Sequence, residues 1–114
     1  MNNARYVLTA LLAMVGMGLA PHAAAGHQIG KVKSVDIRAS DGLIIVYMEG
    51  TAVNRAQCAG ATSYWMILNE NSMTGRQQLA LLLAAKASGQ PVTIVGRGAC
   101  TRWADGEDID TVSW

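Results

Sequence analysis

Few side chains in this sequence are of a type and spacing that could do chemistry. Asp105, Glu107, Asp108 and Asp110 fall within six positions near the C-terminus. Paired carboxylates can act as general acid and base or hold calcium through oxygen ligands. The cluster lacks the ligand spacing and glycine position of an EF-hand loop, so it reads as a solvated acidic turn. His27 is the only histidine beyond residue 25. A free amine close to an imidazole can take up copper, but the plainer reading is a loose polar N-terminus over Gly26–Gln28. A hydrolytic triad needs a base beside a nucleophile, and one histidine at a chain end does not supply it. No glycine-rich phosphate loop, metal-ligand spacing or dinucleotide fingerprint is present. The expectation is a non-enzymatic protein without cofactor or metal.

The remaining candidates bind rather than react. Trp103 beside Arg102 falls in a predicted loop, where an indole has a use if a partner stacks on it. Tyr64 and Arg97 are further candidates, combining an aromatic face or a guanidinium with hydrogen-bonding capacity. The bland alternative keeps Trp65 in the core and lets Trp103 cover a disulfide. That disulfide is predicted between Cys58 and Cys100, the only two cysteines. It closes a loop of about 43 residues, which the chain-entropy model values at roughly 4 kcal/mol.

Compartment follows from the first twenty-five residues. Arg5 precedes an uncharged apolar run over Tyr6–Ala20, Pro21 breaks it, and Ala23-Ala24-Ala25 offers small residues at the −3 and −1 positions of a cleavage site. The run is shorter than the roughly 20 residues of a spanning helix. Residues 1–25 are therefore expected to be a signal peptide, residues 26–114 one secreted or periplasmic domain, and no membrane anchor is expected after cleavage. Nine Lys and Arg stand against eight Asp and Glu, and Arg5 is the only one of these in the leader. The mature domain is thus neutral, which disfavours nucleic acid, whose binding rests on counterion release by a basic surface.

The elements that must position these side chains read as strand, strand, strand, helix, strand, strand. Ile29–Ala39 is apolar on alternate residues except for a slip near Lys33-Ser34, the signature of a β-bulge that lets one strand serve two parts of a barrel. Ser40-Asp41-Gly42 turns into a second strand, Leu43–Gly50, whose apolar run predicts burial on both faces. Thr51–Thr62 is a loop, and Ser63–Asn69 the third strand. A helix runs from Thr74 or Gly75 to Gly89, with a Thr74/Gln77 capping box at its start, Gly89 as C-cap and Pro91 as stop. Leu79, Leu82 and Leu83 form its predicted inward stripe. Leu81, Ala84, Ala85 and Ser88 form a second, small-residue stripe, expected to meet another copy of the chain; the alternative is a plain alanine-rich exposed face. Pro91–Gly98 and Asp108–Trp114 complete the strands, joined by a turn over Thr101–Gly106.

This order predicts a mainly β protein with one helix, a small OB-fold-like five-stranded barrel. The alternative is a small α+β domain with the helix on one face of an antiparallel sheet. The run LALLLAAKASGQPVTIVGRGAC, the upstream Cys58 and the aromatic pair Tyr64-Trp65 resemble the B subunits of the subtilase cytotoxin and typhoid toxin group, over Val32 to about Val95. The resemblance implies an exported OB-fold protein that forms pentamers and binds glycans. The expected function is accordingly an oligomeric binding domain for glycan or a partner protein. The alternative is a small structural or docking protein without sugar binding.

Overall fold

A computed structural model describes residues 25–114. The expected signal peptide lies outside the described residues except for Ala25. Five strands and one long helix follow in the predicted order: β1 (His27–Ile37), β2 (Ile44–Met48), β3 (Tyr64–Met66), α1 (Met73–Ser88), β4 (Pro91–Gly96) and β5 (Glu107–Ser113), with a 3₁₀ turn at Gln57–Ala59. The strands close into a barrel in the order β1-β2-β3-β5-β4. Only the β3–β5 pair is parallel. The protein is mainly β, with an OB-fold-like small barrel.

β1 closes the barrel because it is long and broken. Its first half pairs with β4 from His27 to Lys31, its second half with β2 from Val32 to Ile37, and the register shifts between Val32 and Ser34. The slip in the apolar period marked this bulge. Its Lys33 carbonyl accepts a hydrogen bond from Lys86 Nζ of α1 at 3.0 Å, so a carbonyl freed from the ladder is still satisfied. The core combines Val46, Trp65, Ile67, Ile94 and Ile109 of the barrel with Leu82 of α1. β2 alternates buried and half-covered residues rather than burying both faces.

The structure corrects several details. His27–Gln28 is not a loose end: His27 opens β1 and Gln28 is buried, its Oε1 accepting from Trp65 Nε1 at 2.8 Å. The helix is capped by Ser72, whose Oγ accepts from the Gly75 N–H at 3.0 Å, and not by Thr74. Its first turn packs against the Asn69 carbonyl, where a side chain on Gly75 would collide, and the helix begins at Met73, slightly earlier than the capping-box reading placed it. Gly89 does take the left-handed C-cap conformation, φ 67°. Ala85 faces the barrel and is fully buried, whereas Leu83 points outward and is 46% exposed. The second stripe thus loses Ala85, leaving Leu81 half-buried and Ala84 and Ser88 exposed. Among the described residues no helix is long and apolar enough to cross a membrane.

Candidate functional site

The Cys58–Cys100 disulfide is formed, with a Cα–Cα distance of 6.2 Å. It ties the β2–β3 connection to the β4–β5 loop, which carries Trp103. That loop is held from beneath by Asp108, fully buried at the start of β5. Its Oδ2 accepts from the Thr101 N–H at 2.9 Å and the Thr101 hydroxyl at 2.5 Å, and its Oδ1 accepts from the Arg102 N–H at 3.1 Å. Glu107 is also fully buried, accepting backbone N–H bonds from Gly26, Ala56 and Gly98. The expectation of a solvated acidic turn is therefore wrong for these two carboxylates. Backbone amides converge on them, which is how a buried carboxylate is made tolerable.

Arg102 is a brace. Its Nε and Nη2 donate to the two oxygens of Glu70 at 3.1 and 2.8 Å, and Nη2 also reaches the Asp41 carbonyl at 3.3 Å. The bond from Arg102 holds the Glu70 carboxyl below its usual value. Arg38 donates twice to Asp41, at 2.9 and 2.6 Å, and chiefly for this reason the Asp41 carboxyl is held well below the usual range. The Arg38 guanidinium also lies over the Trp103 ring, 4.7 Å from its centroid. An alternating series of Trp103, Arg38, Asp41, Arg102 and Glu70 thereby locks the β1–β2 turn, the β3–α1 turn and the β4–β5 loop together. A planar guanidinium suits both bidentate pairing and stacking.

The outward face beside these loops is aromatic. Residues pair across it as Ser34 with Tyr47, Asp36 with Ile45 and Tyr47 with Tyr64. Tyr47 and Tyr64 meet edge to face at 5.7 Å between centroids. The Tyr64 hydroxyl donates to Asp105 Oδ1. Partial burial raises the Tyr64 pKa, the Asp105 bond adds to the rise, and the Trp103 indole acts against it. Trp103 itself is 39% exposed. The structure therefore brings Tyr64 and Trp103 to one face and puts Arg102 behind it. Arg97 lies apart, 3.5 Å from Asp110 in a pocket of about 80 Å³ between α1 and β5.

Sequence reasoning missed Arg38, Tyr47 and Asp105 as members of this face. The first was within reach, because two-residue alternation carries Ser34, Asp36 and Arg38 to the outer surface together. A second concavity of about 480 Å³ is lined by Gln28, Thr51, Arg55, Thr62 and neighbouring residues. Arg55 lies over the Trp65 ring at 4.8 Å and donates to the Thr62 and Tyr64 carbonyls, so its guanidinium mainly serves the β2–β3 connection. Among the described residues no group of three or more His, Cys, Asp or Glu is placed to hold a metal ion.

Fold and face define a class, a small OB-fold-like barrel whose β1–β2 turn and β4–β5 loop fix an aromatic, polar-rimmed surface. No family model, curated protein or solved structure matches this chain.

Proposed function

We propose that this protein is an exported, non-enzymatic binding module, similar in role to the toxin B subunits its sequence resembles. Carbohydrate is the ligand class, taken on the face formed by Trp103, Tyr64 and Tyr47 with Arg38 and Asp105 at its rim. The observation that carries this reading is the half-open indole of Trp103 on a loop braced from three sides. An aromatic plane with neighbouring charged hydrogen-bonding groups suits a sugar, which offers an apolar C–H face edged by hydroxyls. A braced loop also loses little freedom on binding, so more of the contact energy appears as affinity. Export agrees with the formed disulfide. Multivalent binding would follow if copies assemble through Leu81, Ala84 and Ser88 of α1.

The test is a glycan array probed with the oxidised protein and with Trp103→Ala. Truncating a central aromatic anchor of this kind costs about 2 kcal/mol or more, so glycan signal is expected to fall at least about tenfold with folding unchanged. Equal signal from both proteins would remove the sugar site from this face.

A second reading, docking to a protein partner, is favoured by a separate observation. Ile29, Val53 and Val95 are exposed on the β1–β4 wall, Ile29 at 67%. A blank glycan array with a stable oligomer by native mass would favour it.

A further inference from the structure

We propose that the Ala25–Gly26 peptide bond is a processing site and that the α-ammonium it releases is a structural charge, ion-paired inside the barrel with Glu107. The two ends of that bond have different surroundings: Ala25 is exposed and Gly26 is buried. The Gly26 nitrogen lies 2.9 Å from Glu107 Oε2. The other donors to this carboxylate are the Ala56 N–H at 2.5 Å and the Gly98 N–H at 3.2 Å. All three are backbone amides, and among the described residues no salt bridge reaches Glu107. Arg55 attracts Glu107 only from a distance: its Nη1 and Nη2 donate to the Thr62 and Tyr64 carbonyls, its buried Nε has no partner, and none of its nitrogens forms a salt bridge with Glu107. A fully buried carboxylate without a cation in contact is costly. An ammonium at Gly26 supplies that cation without moving any atom.

The chain around Gly26 is shaped for a fixed terminus. A Cβ at this position would lie 2.9 Å from both Arg55 Cα and Glu107 Oε1, and 3.1 Å from the Trp65 ring. Gly96 walls the opposite side, where a side chain would run into the Glu107 carboxylate. The Gly26 carbonyl accepts from the Gly96 N–H at 2.7 Å, and His27 exchanges two backbone bonds with Val53 at 2.9 and 2.8 Å. Independently, Ala23 and Ala25 are the small residues that leader peptidases require before the cut. Cleavage there is a hydrolysis by a peptidase acting in trans. Water adds across the amide, Ala25 keeps the oxygen as a carboxylate, and the Gly26 nitrogen leaves as an amine that takes up a proton.

The new charge has a pH signature. A free α-amino group titrates near 7.7–8.0. Contact with Glu107 raises that value in the folded state. Its contribution to stability is then complete below the unfolded value and lost as pH rises through the folded one. Arg55 opposes the pairing from the β2–β3 side, and His27, the next residue, is exposed.

The test begins with the full chain exported from a bacterial host and its N-terminus read by intact mass. Every strand and α1 lie within residues 27–113, so the released domain can then be compared with a form one residue longer, starting at Ala25 and cut from a fusion. The expected results are a terminus at Gly26, a Tm about 4–8 °C above that of the longer form at pH 6–7, and a gap that closes towards pH 10. Glu107→Gln should abolish the gap, and if that variant does not fold, the two wild-type forms still decide. A terminus at any other residue, or equal Tm values at every pH, would overturn the proposal.

Discussion

Replacing Asp108 by asparagine tests whether the β4–β5 loop is held from below. The change keeps shape and volume but exchanges one acceptor oxygen for an NH₂ group. Asp108 now accepts three bonds, two at Oδ2 from Thr101 and one at Oδ1 from the Arg102 N–H. An asparagine with its oxygen towards Thr101 turns its NH₂ towards the Arg102 N–H, donor against donor; the opposite orientation loses both Thr101 bonds. The better choice forfeits one charge-assisted bond, about 1.5–3 kcal/mol. For a domain of this size that is a fall in Tm of roughly 6–24 °C, at about 4–8 °C per kcal/mol. Thermal unfolding followed by circular dichroism measures it. Acrylamide quenching of tryptophan fluorescence and limited proteolysis then show whether residues 98–106 have loosened. A Tm within about 2 °C of wild type, with unchanged quenching and cleavage, would refute the idea that Asp108 organises this loop.

Three further outcomes follow from the same structure. Reducing Cys58–Cys100, or replacing both with alanine, should lower stability by roughly 4 kcal/mol in denaturant titration and loosen the loop that carries Trp103. Leu82→Ala should cost about 2–5 kcal/mol by the same measurement, because Leu82 is fully buried between α1 and the barrel. Acid should weaken the loop clamp: Asp41 and Glu70 have carboxyl values depressed below 3.8 and 4.5. A depressed carboxyl contributes stability above its unfolded value and loses it as pH falls through the folded one. Denaturant titrations at a series of pH values should therefore give constant stability above about pH 5 and a progressive fall below about pH 4, whereas equal stability from about pH 5 to about pH 2 would show that these pairs do not hold the loops together.

Local signals in the sequence were legible where the physics is local. The slip at Lys33-Ser34 breaks a two-residue period, and the register of β1 shifts there. Gly89 and Pro91 end the helix by backbone conformation alone. Rotation of the helix was not legible, because α1 has no charged face to set it. The leucine arc placed Leu79, Leu82 and Leu83 inward; Leu82 is buried and Leu79 packs against the core, but Leu83 points outward and the buried side turns towards Ala85 instead. Two contacts set that angle: Gly75 against the Asn69 carbonyl in the turn just before the helix, and Lys86 on the bulge carbonyl of Lys33, 53 residues away. The site divides in the same way. An exposed tryptophan in a loop could be picked out by type, but Arg102 as a brace depends on Glu70, 32 residues away.

Glu107 and Asp108 carry the largest lesson, because neighbouring residues in a strand face opposite ways. Glu107 turns to Gly26 and Ala56, at separations of 81 and 51 residues, while Asp108 turns to Thr101 and Arg102. One dipeptide thus fastens the start of β1 and the β2–β3 connection on one side, and the Trp103 loop on the other. It does so where β5 pairs with β3, with Trp65 opposite Glu107 and Met66 opposite Asp108. This is the parallel seam that closes the barrel, and the disulfide joins the two connections beside it, Cys58 near Ala56 and Cys100 next to Thr101 in the chain. Closure of the barrel and rigidity of the candidate face therefore rest on the same atoms. A substitution that loosens the seam should be felt at Trp103 before the barrel unfolds, since the loop has no regular ladder of its own beyond the bridge from Trp103 to Gly106.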